Sequence, residues 1–109
     1  MCVSGNISTL AVTFEITLTL KASDDLKALR KIEQKAVTEG IERQLKTEPA
    51  TETRNRKKLR PNGTAEWELR IGNLRVIYDV FEGDLVVKIE AIGYKAGNKL
   101  FVRGEEFKL

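Results

Sequence analysis

The chain has 109 residues, enough for one domain, and its 41% hydrophobic and 32% charged content argues against both a disordered and a membrane-embedded protein. Lys and Arg total 19 against 16 Asp and Glu, a net charge of +3, and there is no histidine, which removes His-based triads, the common zinc sites and the usual neutral-pH proton shuttle. The only cysteine, Cys2, excludes an intrachain disulfide and makes a reducing cytoplasm the default compartment, and Met1 to Asn6 lack the basic start of a secretory signal.

Residues 1–11, with Gly5, Asn6 and scattered Ser, read as a lead-in to a single domain over 12–109. Val12 to Leu20 alternate, with Val12, Phe14, Ile16, Leu18 and Leu20 on one face, the pattern of a half-buried strand. Ser23-Asp24-Asp25 then offers N-cap chemistry and two acids for the positive end of a helix. Leu26, Leu29, Ile32, Ala36, Val37, Ile41 and Leu45 continue as an amphipathic stripe, compatible with one helix over 24–46 or a hairpin of two, ended by Pro49.

A polar loop follows, in which Arg54, Arg56, Lys57, Lys58 and Arg60 put five basic residues into seven positions. Such a run is either a solvated basic face or a phosphate-backbone contact. Three strand-like runs come next, over 65–71, 74–82 and 85–92, with a loop at 93–97 and a short final strand at 100–102. The class is α+β, with a helical layer on one face of a sheet.

Gly72-Asn73 is a two-residue turn whose leading glycine suits type II′. That turn pairs Ile71 with Leu74, Leu69 with Val76 and Trp67 with Tyr78 on the core side, and it opposes Arg70 to Arg75 on the other. Directly opposed like charges destabilise a strand pair. Either Glu66 and Glu68 on the same face relieve the repulsion, or a bound phosphate does so through bidentate arginine contacts. Tyr94 and Lys95, just past the third run, are candidates for base stacking and for proton donation or phosphate binding. Glu66, Glu68 and Asp79 could together hold Mg²⁺, but the two arginines beside them argue against a metal, and no other cluster implies a cofactor.

The block Trp67-Glu68-Leu69-Arg70, Gly72, Arg75-Val76-Ile77-Tyr78-Asp79-Val80 and Val87-Lys88-Ile89-Glu90-Ala91-Ile92-Gly93 resembles the RelE/ParE superfamily of bacterial toxins. The region 25–29, the segment Lys58-Leu59-Arg60-Pro61 and the tail 103–107 fit the same pattern. The resemblance implies a β-α-α-β-β-β arrangement, with a helical hairpin broken near Arg30 to Glu33 and packed on one face of an antiparallel sheet. It also implies a toxin of a type II toxin–antitoxin pair, neutralised by a wrapping antitoxin. In the RelE branch the toxin enters the ribosome and cleaves mRNA, and the 2′-hydroxyl attacks the adjacent phosphate, so the protein needs no nucleophile of its own. ParE-like toxins instead inhibit DNA gyrase without catalysis, and some relatives have weak or lost nuclease activity.

Carried over by residue, Arg75 matches the sheet arginine that stabilises the attacked phosphate, and Arg70 matches a basic position on the preceding strand. Lys95 matches the group that protonates the leaving 5′ oxygen. Glu66 and Glu68 replace two lysines, Glu68 being the candidate general base, and Phe101 replaces a late tyrosine that stacks on the base. The basic loop stands in for the lost lysines as an RNA contact.

Overall fold

The computed structural model describes residues 13–61, 65–103 and 105–107, so the lead-in expected at 1–11 lies outside them. In chain order the elements are β1 (Glu15–Leu18), α1 (Leu20–Lys27), α2 (Lys31–Leu45), β2 (Arg56–Lys58), β3 (Trp67–Ile71), β4 (Leu74–Phe81), β5 (Val86–Ala96), β6 (Lys99–Val102) and β7 (Glu105–Phe107). Strands β2 to β7 lie side by side in sequence order and pair antiparallel, and β1 joins the first half of β5 in parallel. The expected α+β frame is present as β1, α1, α2, β3, β4 and β5, and short strands β2, β6 and β7 extend the sheet.

The first helix starts earlier than its acidic residues suggest. Thr19, read above as a strand residue, is the N-cap, and its hydroxyl oxygen accepts the Ala22 N–H at 3.0 Å. Leu20 therefore opens the helix and points to solvent, 86% exposed, while Ser23, Asp24 and Asp25 lie inside the helix rather than at its start. The helical stretch is two helices, parted at residues 28–30. Gln34 holds the break by donating to the Leu29 carbonyl at 2.8 Å and the Lys27 carbonyl at 3.4 Å, acceptors that a helix C-terminus leaves orphaned.

The core lies between the helices and one face of the sheet. Val37, Ile41 and Leu45 of α2 pack with Leu69, Leu74, Val76, Tyr78, Val87, Ile89 and Ile92. Each such fully buried side chain is worth roughly 1.5–3 kcal/mol. Ile32 of the predicted stripe is 73% exposed at the start of α2 and takes no part. The Tyr78 hydroxyl donates to the Pro49 carbonyl at 2.7 Å, tying the chain after α2 to the sheet centre. The far face carries a second cluster of Ala65, Ile77, Ala91, Leu100 and Val102, joined by Leu59.

The hairpin register is the predicted one, pair for pair from Trp67–Tyr78 to Ile71–Leu74. Gly72 has φ +60° and Asn73 is not among the positive-φ residues, the pattern of a II′ turn. Two other readings change. The basic run is part strand: Arg56 to Lys58 pair with Leu69 to Trp67. The segment 93–96, read as loop, continues β5, and the turn comes at Gly97 with φ +64°.

Candidate nucleic-acid interface

A β-bulge decides which side chains share a face. Ile77 pairs with Ala91 but Tyr78 pairs with Ile89, so Glu90 is an extra residue on β5. Before the bulge Val87 and Ile89 face the helices; after it Ile92 does, while Ala91 joins the far cluster. A one-residue slip exchanges the faces of everything beyond it. Tyr94 consequently pairs with the core residue Leu74 on the helix side, and Lys95 pairs with Leu100 on the far side.

The far face thereby gathers Lys57 of β2, Glu68 and Arg70 of β3, Arg75 of β4 and Lys95 of β5. Arg70 is opposite Arg75, which is opposite Gly93, and Lys57 is opposite Glu68. Glu68 lies between the two arginines: Arg70 Nε is 3.4 Å from Oε1 and Arg75 Nε is 3.9 Å from Oε2. In this structure the carboxylate relieves the cross-strand repulsion. Glu66 plays no part in it; its backbone N–H donates to Asp79 Oδ1 at 2.9 Å.

Exposure separates the members. The Arg70 side chain is 40% exposed, whereas those of Arg75 and Glu68 are only 10% and 8% exposed. Arg75 Nη1 donates to the Gly72 carbonyl at 2.8 Å and the Leu74 carbonyl at 2.9 Å, which folds the guanidinium back against the turn. Its buried Nε has no hydrogen-bond partner. The sequence reading gave Arg75 a direct phosphate contact; here it is a sheltered cation, reachable by phosphate only if Glu68 moves. Glu68, lying between two cations, is likewise not poised as a base in this conformation. Among the described residues Lys57 and Lys95 form no ion pair.

The remaining candidates divide. Arg56 is 6% exposed and structural: Nε donates to the Thr51 carbonyl at 2.9 Å, and Nη1 donates to the Gln44 carbonyl at 2.6 Å and to Gln44 Oε1 at 3.1 Å. Its place opposite Leu69 turns it under the helices, which corrects its assignment as a phosphate contact. Lys58 is opposite Trp67, away from the arginine face; Arg54 and Arg60 lie exposed on either side of β2. Tyr94 and Phe101 do meet, with ring centroids 5.6 Å apart and planes at 21°, but on the helix side, across the sheet from the arginines. A base stacked on that pair cannot have its own phosphate between Arg70 and Arg75.

Sequence reading missed Arg43. It lies on the polar side of α2 and lines, with Gln44, Asn55, Arg70 and Gly72, a cavity of about 350 Å³ between that helix and the β3–β4 turn. Its only sequence signal was a basic residue in the last turn, a common feature of helix ends.

At the other end of this face burial holds the Glu90 carboxyl above its ordinary range; Lys88 opposes that shift and Asp79 adds to it. The folded chain thus keeps a proton that the unfolded chain has released, so stability falls as pH rises through and above the ordinary carboxylate range. Glu90→Gln is expected to raise the melting temperature at pH 7, with the gain fading under strong acid. Thermal denaturation at both pH values checks this.

Residues 16–98 match the family model described as the ParE toxin of type II toxin–antitoxin systems, parDE. With most of the sequence matched, the chain belongs to that family, a RelE/ParE-superfamily toxin. Its fold is similar to a chain of the RelBE2 toxin–antitoxin complex from Mycobacterium tuberculosis, with 28% identity and a TM-score of 0.67, covering 79% of this chain and 95% of that one. It is also similar to a chain of the archaeal RelE–RelB complex from Pyrococcus horikoshii OT3, with 27% identity and a TM-score of 0.61, covering 73% and 92%. No curated protein matches significantly in sequence. No helix among the described residues is long and apolar enough to cross a membrane.

Proposed function

We propose that this toxin binds RNA across the β2–β5 face and cleaves mRNA on the ribosome in the cytoplasm, with a cognate antitoxin as its inhibitory partner. The observation that carries the reading is the convergence of Lys57, Arg70 and Lys95 around Arg75 on one face, from four adjoining strands. The complexes in which the similar structures were solved support the antitoxin.

In the reaction, the 2′-hydroxyl oxygen of the RNA bonds to the adjacent phosphorus as the bond to the 5′ oxygen breaks. The products are a 2′,3′-cyclic phosphate and a 5′-hydroxyl end. Arg70 stabilises charge on the non-bridging oxygens. Lys95 supplies the proton to the leaving oxygen, and Glu68, once released from its arginines, accepts the proton of the attacking hydroxyl.

Inducing the chain without antitoxin and mapping RNA ends tests the proposal. The expected result is growth arrest with mRNA fragments bearing 5′-hydroxyl ends, lost in Arg70→Ala; intact mRNA during arrest overturns it. The burial of Arg75 and Glu68 favours a second reading, a ParE-like non-enzymatic inhibitor of DNA gyrase, because protein binding requires no poised base. That reading gives intact mRNA with DNA-damage signalling and filamentation. A folded protein without toxicity identifies a relative with weak or lost activity.

A further inference from the structure

Resting on the RNA-binding reading, we infer that Glu68 is an internal stand-in for phosphate: its carboxylate fills an oxyanion site between Arg70 and Arg75, and RNA binds by displacing it. Each oxygen of Glu68 approaches a different guanidinium, as two non-bridging oxygens of a phosphodiester would. Both approaches are long, 3.4 and 3.9 Å, where a good charge-assisted contact is about 2.7–2.9 Å. The carboxylate is held, but not well held.

The second observation is the Arg75 Nε, buried and without an acceptor. Buried charged N–H groups are almost always satisfied, so this donor marks an acceptor position that Glu68 does not reach. The Gly72 and Leu74 carbonyls hold Nη1 against the turn, and Nε lies 3.9 Å from Glu68 Oε2. The cavity between α2 and the β3–β4 turn borders Arg70 but neither Arg75 nor Glu68, and its lining includes Glu39 as well as Arg43, so the oxyanion site rests on the two arginines alone. A phosphodiester offers the same two anionic oxygens but is not tethered to β3, so it can approach both arginines more closely than Glu68 does.

An internal competitor multiplies the apparent affinity by the fraction of molecules in which it has left the site. If Glu68 is in place about 90% of the time, its removal tightens binding about tenfold. The expected result is therefore that Glu68→Gln binds a 2′-O-methyl RNA hexamer at least about tenfold more tightly than the native chain. This probe cannot be cleaved, so its binding is read without ribosome or catalysis. Unchanged or weaker binding by the folded variant overturns the inference. If Glu68→Gln does not fold, the native protein decides: the Arg75 Nε–H resonance in a ¹⁵N spectrum shifts on saturation with the hexamer, and a resonance that stays put overturns the inference. Tighter binding with intact cellular mRNA leaves the oxyanion site standing and removes the nuclease reading. Fragmented mRNA with unaltered hexamer affinity does the reverse.

Discussion

Replacing Arg103 with alanine is expected to remove roughly 3 kcal/mol or more of folding stability. Asp25 projects from α1 with 1% of its side chain exposed. One oxygen accepts the Ile92 N–H at 3.1 Å, and Arg103 Nη1 lies 2.7 and 2.6 Å from Oδ1 and Oδ2. Without Arg103 a buried carboxylate is left with a single neutral donor. The reverse change, Asp25→Ala, is milder, because the Arg103 side chain is already 44% exposed and can rehydrate. That change strands mainly the Ile92 N–H, a cost of about 1–3 kcal/mol. Arg103 sits at φ 55°, and alanine bears a similar backbone cost there, so the comparison reports the side chain. Urea denaturation of both variants checks the order; a larger loss in Asp25→Ala contradicts it.

Gly93→Ala is expected to be of similar size. A Cβ at position 93 would lie 2.2 Å from the Phe101 carbonyl oxygen and 2.8 Å from Val102 Cγ2. Backbone cannot swing away as a side-chain tip does, so β6 must separate from β5, at a cost of roughly 3 kcal/mol. The shift also moves Lys95, which pairs with Leu100, and on the proposed RNA-binding reading it is expected to weaken binding of the hexamer. Gly83→Ala is the control: nothing lies within 4 Å of its Cβ, its φ is not positive, and its stability change should stay within about 0.5 kcal/mol. Denaturation midpoints for the pair separate steric clash from general loss of a glycine.

The bulge at Glu90 shows where local pattern runs out. The β3–β4 hairpin could be paired from sequence because its two-residue turn and its apolar alternation demand the same register. Carried past residue 90, that alternation puts Tyr94 and Lys95 on the wrong faces, because one unpaired residue inverts the count and leaves no compositional mark. Thr19 was concealed differently, since a β-branched residue ending an alternating run reads as strand until its hydroxyl is seen on the Ala22 N–H. Arg56 among four other basic residues looks like solvated charge; only the position of Gln44, 12 residues earlier on α2, makes it structural. The arginine pair was legible, and Glu68, together with Glu66, was the relief weighed against a bound phosphate. The burial of Glu68 depends on long-range packing that spacing does not encode.

Whether the β2–β5 face meets RNA phosphates is read most directly from the salt dependence of binding to the uncleavable hexamer. Each cation that neutralises a single-strand phosphate contributes about 0.7 to the slope of log K against log salt. Neutralising both Lys57 and Lys95 with glutamine is predicted to lower the magnitude of that slope by about 1.4. A slope equal to that of the native chain, with the double variant folded, would place the RNA elsewhere on the molecule.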